Sequence, residues 1–318
     1  MAKTLPLELE KTAPVFYSVM ALRFGFGSRL VPWRRARWLS TAEEPLTVAS
    51  TCAEGIRTVT LNNPTKYNGW TAAMLMSVHG QFVDAAADEG VRAVILTGAG
   101  TYYCAGVDLA SSLRPMMPAA LHAMIYESNK RVFDTFLDFP KPLCVAVNGP
   151  NIGAAVTTAT LADGVVASER ATFSTPFARL GVTPEGCSSV HFEYLMGAET
   201  AERMLGDEGW VPTGAEARAA GLVDDCVPHD DLLPAAEALV KRWLADPDYV
   251  KSHRGYEDTA RLKAVNDQES KDLADAFLAV PFLQAQADFL SAKGKAQPAA
   301  MFKFLIKTRP AWSLLLPN

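Results

Sequence analysis

The chain has 318 residues, 49% hydrophobic and 20% charged, enough apolar material to bury a full core and too much for a disordered or collagenous chain. Its 30 Lys and Arg against 35 Asp and Glu leave a net charge of −5, which argues against a nucleic-acid partner, because such proteins concentrate a basic face. Five scattered cysteines with no Cys-x-x-Cys pair point to a reducing compartment and away from zinc.

Residues 1–45 read as an address. Between Met20 and Ala42 stand Arg23, Arg29, Arg34, Arg35 and Arg37 with no acid among them, interleaved with Phe24, Phe26, Trp33 and Trp38. That composition suits a mitochondrial presequence, so the expected compartment is the mitochondrial matrix, with the peroxisome as the alternative. A disordered basic arm is the other reading, since Gly25, Gly27 and Pro32 weaken any amphipathic helix. Glu8 and Glu10 lie upstream, where presequences avoid acids, which makes Met20 a candidate start.

From Leu46 the pattern becomes β, with Leu46–Cys52 and Ile56–Leu61 separated by Glu54-Gly55, a hairpin. Between Thr71 and Ala87 the period lengthens: Met74, Leu75, Val78, Phe82 and Ala85 share one stripe behind Thr71 as N-cap, an amphipathic helix. A buried strand at Ala93–Leu96, a helix through Ala119–Phe136, a second strand at Leu143–Val147, a small-residue helix from Gly153 and a third strand at Gly164–Ala167 follow. Strands alternating with helices predict parallel βαβ units covered on both faces, an α/β fold. The uncharged run Leu143–Ala162 is long enough to cross a bilayer, but Asn148-Gly149-Pro150-Asn151 breaks it, so no transmembrane segment is expected. Beyond Arg170 the chain turns helical, near Ala198–Leu205, Gly214–Ala220 and Leu232–Leu244, and then from Asp258 to Ile306. The divisions expected are 1–45 as targeting or disordered segment, 46–245 as core, and 246–318 as a helical C-terminal region packing on its own core or on a neighbouring subunit.

Gly98-Ala99-Gly100 begins like a dinucleotide fingerprint, but Tyr103 occupies the third glycine position and no helix follows, which makes a nicotinamide dehydrogenase a poor reading. Two small-residue turns stand out instead, Tyr103–Leu109 and Asn148–Ala155, each after a buried strand. Such turns can expose backbone N–H groups, and two set side by side make an oxyanion hole; tight crossings needed only for packing are the plainer explanation.

Seven ordered signatures between about Thr47 and Val227 tip that balance: Leu61-Asn62-x-Pro64 with Asn68, Tyr103-Cys-Ala-Gly-x-Asp-Leu109, Lys141-Pro142, Asn148-Gly149-Pro150, Ala162-Asp163 before a strand, Ala171-Thr-Phe173, and Gly214-Ala-Glu-Ala217 leading to Gly221-Leu-Val223. Together they resemble the crotonase (enoyl-CoA hydratase/isomerase) superfamily. The resemblance implies a spiral of ββα units with a helical C-terminal trimerisation region, a homotrimer or hexamer, and an acyl-CoA thioester substrate that brings its own coenzyme A, so that no further cofactor or metal is needed. By motif position it assigns the thioester oxygen to the N–H groups of Ala105 and Ala154. It also suggests substrate or coenzyme A contacts at Lys66, Asn68, Cys104, Gly106, Asp108, Gly153 and Phe177.

Hydratases of this family use two glutamates, and the matching positions here hold Thr157 and Phe177, neither of which can activate water. Pro184-Glu185-Gly186-Cys187-Ser188-Ser189 closely resembles a signature of peroxisomal-type Δ3,Δ2-enoyl-CoA isomerases, which makes Glu185 the expected catalytic base. A carboxylate at the start of a helix near Gly186, favouring its dipole, is the bland alternative for Glu185. The function expected is thus migration of the double bond of a 3-enoyl-CoA to the trans-2 position. The alternatives are another acyl-CoA activity of the superfamily, such as dienoyl isomerisation or thioester hydrolysis, or a non-catalytic acyl-CoA-binding relative.

Overall fold

The computed structural model describes residues 45–52, 54–107 and 116–316. The expected targeting segment therefore lies, but for Pro45, outside the described residues, and so does Asp108.

The hairpin forms as read: β1 (Thr47–Thr51) pairs antiparallel with β2 (Ile56–Leu61). Helix α1 (Ala72–Ala87) starts where Thr71 accepts the Met74 N–H at 3.1 Å, and it buries Met74, Val78, Phe82 and Ala85. In order follow β3 (Ala93–Gly98), α2 (Pro118–Leu137), β4 (Leu143–Val147), β5 (Asn151–Ile152), α3 (Ala154–Thr160), β6 (Gly164–Ser168) and β7 (Phe173–Ser174). The chain then runs through α4 (Phe177–Leu180), α5 (Ser188–Met196), α6 (Ala198–Leu205), α7 (Gly214–Ala220), β8 (Asp225–Val227) and α8 (Leu232–Ala245). It closes with α9 (Thr259–Phe277), α10 (Val280–Ala292) and α11 (Ala296–Trp312), so the long helical run from Asp258 is three helices, broken at Leu278-Ala279 and at Lys293–Lys295.

The main sheet has the order β1-β2-β3-β4-β6-β8, parallel from β2 onward, and β5 with β7 forms a second, two-stranded parallel sheet. Alternation along the strands divides the interior. Ile56, Ala93, Ile95, Cys144, Ala146 and Val166 face α8, where Leu232, Ala236 and Val240 cover them. Val59, Leu61, Val94, Leu96, Val145, Val147, Val165 and Ala167 face the larger core with α1, Phe133 and Phe136. The uncharged run from Leu143 is thus β4, a turn, β5 and α3, and among the described residues no helix is long and apolar enough to cross a membrane.

Helix α9 returns across the molecule to lie along α2, where Tyr126 donates to Asp267 at 2.6 Å and Asn266 donates to the Lys130 carbonyl at 3.0 Å. The connection into it is tied to the sheet by Asp163, which accepts from Leu143 N, Tyr249 OH, Lys251 Nζ and Ser252 N. Helices α10 and α11 form a hairpin around Phe282, Leu283, Ala287 and Phe302, with Val182 and Phe277 packed against it.

Candidate active site

The two small-residue turns are laced together where β3 and β4 end. Tyr103 N–H donates to the Pro150 carbonyl at 3.1 Å and Ile152 N–H to the Cys104 carbonyl at 3.0 Å. Gly106 sits at φ +80°, and a Cβ there would come within 2.7 Å of the Ile152 carbonyl oxygen, so only glycine lets the turns approach this closely.

Ala154 opens α3, so its N–H has no acceptor four residues back, while the preceding Gly153, at φ +61°, gives its own N–H to Ser174 at 2.7 Å. A Cβ on Gly153 would meet nothing within 4 Å, leaving open space in front of the helix end. The expectation for Ala105 is corrected: its N–H donates to the Tyr67 carbonyl at 2.9 Å and is not free for a thioester oxygen. Two residues on, Val107 is partly exposed, and its N–H makes no hydrogen bond to another described residue. Gly106 turns the chain over between the two, and a residue pattern does not reveal which amide that leaves free.

Asn68 and Cys104, expected to touch substrate, turn their side chains inward. Asn68 accepts from Asn63 N at 2.9 Å and donates to the carbonyls of Ala99, Tyr102 and Tyr103, so every polar atom is spent on holding the first turn. Cys104 Sγ donates to the Asn68 carbonyl at 3.1 Å, and burial pushes its thiol up to about 12, which leaves it unreactive. Lys66 is exposed beside Tyr67, and Phe177 is buried at the first position of α4.

Glu185 lies between α4 and α5, 7% exposed. Gly186 at φ +69° follows; a Cβ on it would run into the Phe133 ring and lie 2.7 Å from Thr157 Oγ1. The Glu185 turn is thereby pressed against α3, the helix that Ala154 begins. Thr157 itself is buried and donates back to the Ala154 carbonyl at 3.1 Å. The Glu185 carboxylate accepts from Asn129 Nδ2 of α2. Burial pushes Glu185 up to about 7, the Asn129 hydrogen bond pulls it down, and the negative charge of Glu269 adds to the rise. A carboxyl poised there can take up and release a proton near neutral pH.

Asn129, Glu269 and Ser270 join the candidate site at the Glu185 turn, and none of them stood out in the sequence. A signal existed: Leu262, Asn266, Glu269, Ser270, Leu273 and Ala274 form the buried stripe of α9, and three of those six are polar. Polar groups on a buried stripe need partners, and Glu269 and Ser270 find theirs in the Glu185 turn and in Asn129.

Fold and site together define a protein of the crotonase class: the enoyl-CoA hydratase/isomerase family matches residues 51–277, and the chain belongs to that family. Enoyl-CoA delta isomerase 2 of Rattus norvegicus is 36% identical over 80% of this chain. The peroxisomal enoyl-CoA delta isomerase 3 of Mus musculus is 33% identical over 80% of this chain and 82% of its own length. The chain spans 66% of the length of the rat protein. Relatives named in this way support an isomerase. Among solved structures, an enoyl-CoA hydratase/isomerase from Pseudoalteromonas atlantica superposes with a TM-score of 0.65 at 24% identity, covering 78% of this chain and 97% of that one. One from Acinetobacter baumannii, described as a putative member, has the same TM-score, covering 76% and 100%. Both share the mixed α/β crotonase fold with a central sheet.

Proposed function

We propose that the chain is a Δ3,Δ2-enoyl-CoA isomerase that moves the double bond of a 3-enoyl-CoA to the trans-2 position in the oxidation of unsaturated fatty acids. The observation that carries this reading is Glu185, a buried carboxylate with a proton affinity near neutrality, on a turn seated against the helix that begins at Ala154. Ionised Glu185 takes the proton from C2, the electron pair spreads into a dienolate, and the charge gathers on the thioester oxygen. The N–H groups of Ala154 and Val107 receive that oxygen, each contributing about 3 kcal/mol to the barrier reduction. The same carboxyl then returns the proton to C4, so atoms and charge balance without a cofactor. Lys66 meets the coenzyme A phosphates, and Phe177 lines the acyl site and helps to keep it dry.

Addition of water is a different demand. It needs a group that activates water, and the positions where family hydratases carry glutamates hold Thr157 and Phe177, a hydroxyl turned onto its own helix and a phenyl ring. The reading also includes a homotrimer or hexamer and import into the mitochondrial matrix through residues 20–42. Imaging of the full-length chain and of one lacking those residues checks the compartment, and peroxisomal localisation would refute it.

The deciding experiment incubates purified protein with 3-hexenoyl-CoA and crotonyl-CoA in parallel. Double-bond migration is expected to be fast and hydration slow, by at least about a hundredfold, the scale of one lost general base. Comparable rates would reject the single-base reading.

A further inference from the structure

The turn that carries Glu185 is gripped by a helix of the C-terminal region. Glu269 and Ser270, adjacent on α9, are both buried. Glu269 Oε2 accepts the Cys187 N–H at 2.6 Å and Oε1 accepts the Ser189 N–H at 2.9 Å, the amides two and four residues beyond Glu185. Ser270 Oγ donates to Asn129 Oδ1 at 2.8 Å, and because that oxygen is committed, the Asn129 NH2 faces Glu185.

We propose that Glu269 and Ser270 are positioning residues that bias the proton on Glu185 in opposite senses, Glu269 by setting a negative charge beside it and Ser270 by holding Asn129 as a donor to it. The inference rests on Glu185 being the base of the reading above. The groups around Glu185 leave these two as the levers. From α2 come Asn129 and the pair Lys130–Asp134, closed on itself at 2.6 Å, with Asp134 also accepting from Asn266 of α9. From α3 comes Thr157, and from the turn itself the Cys187 thiol, which burial keeps protonated. Burial pushes Glu269 up as well, while the Cys187 and Ser189 N–H groups, one on each carboxylate oxygen, favour its ionised form.

Opposite signs follow from the two mechanisms. Glu269→Gln removes the charge at nearly constant volume, so Glu185 should release its proton at lower pH. Its amide NH2 must also face one of the two backbone donors, which loosens the turn and lowers kcat more than it changes KM. Ser270→Ala frees the Asn129 amide to rotate and present Oδ1 to the carboxylate, so Glu185 should hold its proton to higher pH.

The test is a carbon-13 NMR titration of full-length protein labelled at the glutamate carboxyl carbons, with the Glu185 signal assigned by its loss in Glu185→Gln. Wild type, Glu269→Gln and Ser270→Ala are compared, alongside the pH dependence of kcat/KM for 3-hexenoyl-CoA and thermal melting. The midpoint is expected to fall by about 0.5–1 pH unit in Glu269→Gln and to rise by about as much in Ser270→Ala, with the kinetic limb moving in step. Melting points that drop while both midpoints stay put, or midpoints that move in the same direction, overturn the proposal. Should Glu269→Gln not fold, Ser270→Ala decides alone, and an unchanged or lowered midpoint there overturns it. A wild type without isomerase activity refutes the functional reading, whereas the NMR titration still reads the coupling, so the two failures are distinguishable.

Discussion

Glu185 is a carboxyl whose surroundings favour its neutral form, since burial dominates and a second buried carboxylate adds to it. Replacing it by Gln keeps the size and an acceptor for Asn129 but removes the base. Isomerisation is expected to fall by at least about 10²-fold with folding intact, as steady-state rates and circular dichroism will report. The pH dependence has a definite sign. On the proposed mechanism Glu185 acts ionised, so kcat/KM should rise through a midpoint near about 7 and level off above it. Stability runs the other way: the folded value lies above the unfolded one of 4.5, the native state holds the extra proton, and stability is lost as pH climbs from 4.5 to about 7. At pH 8 Glu185→Gln should therefore melt higher than wild type, whereas near pH 4 the difference should vanish. Asn68 behaves differently, because its side chain is consumed by Asn63 and three carbonyls of the first turn. Asn68→Ala should cost about 2 kcal/mol or more in denaturant unfolding, since it strands buried acceptors. A raised KM with unchanged stability would restore Asn68 as a substrate contact.

Among the elements, the segment between Gly181 and Ser189 carries Glu185, and its conformation was the least legible in the sequence. Its residues show neither a two-residue nor a 3.6-residue period, because their conformation is set by long-range contacts rather than by local preference. Cys187 lies in the left-handed region at φ +64° with its amide held by Glu269 of α9, a partner 82 residues away. Gly186 is required twice over, by its φ of +69° and by the Phe133 ring and Thr157 hydroxyl against its α-carbon. Gly186→Ala should destabilise the fold by about 2–4 kcal/mol and depress turnover even where folded protein is recovered, because the backbone that aims Glu185 must shift. A variant with wild-type melting and turnover would mean that the turn has room this packing denies it. Helix α1 is the opposite case, with an N-cap, an apolar stripe and an end that all follow from local chemistry.

At the scale of the molecule, Asp163 joins the parallel sheet to the C-terminal helices. With its side chain 2% exposed, it takes the start of β4 by one oxygen and Lys251, Tyr249 and Ser252 by the pair. Asp163→Ala should cost about 3–5 kcal/mol in unfolding, because it leaves Lys251 without its charge partner and buried donors unpaired. A loss under about 1 kcal/mol would show the connection to be held by other means. If α9 is thereby loosened, the Glu185 midpoint should shift too, since Glu269 and Ser270 travel with that helix. The amino-acid sequence by itself determined the hairpin, α1, the buried parallel strands and the two small-residue turns, because periodicity, capping and glycine placement act over a few residues. It also singled out Glu185, through the Pro184–Ser189 signature set within the wider run of motifs. Only the tertiary structure decided that the Ala105 amide is spent on Tyr67, that Asn68 and Cys104 serve the turn, and that Glu269 and Ser270 of α9 meet Asn129 of α2 and the turn around Glu185. Those assignments turn on which N–H faces which carbonyl and on contacts between residues as far apart as 129 and 270, and no local preference along the chain encodes them.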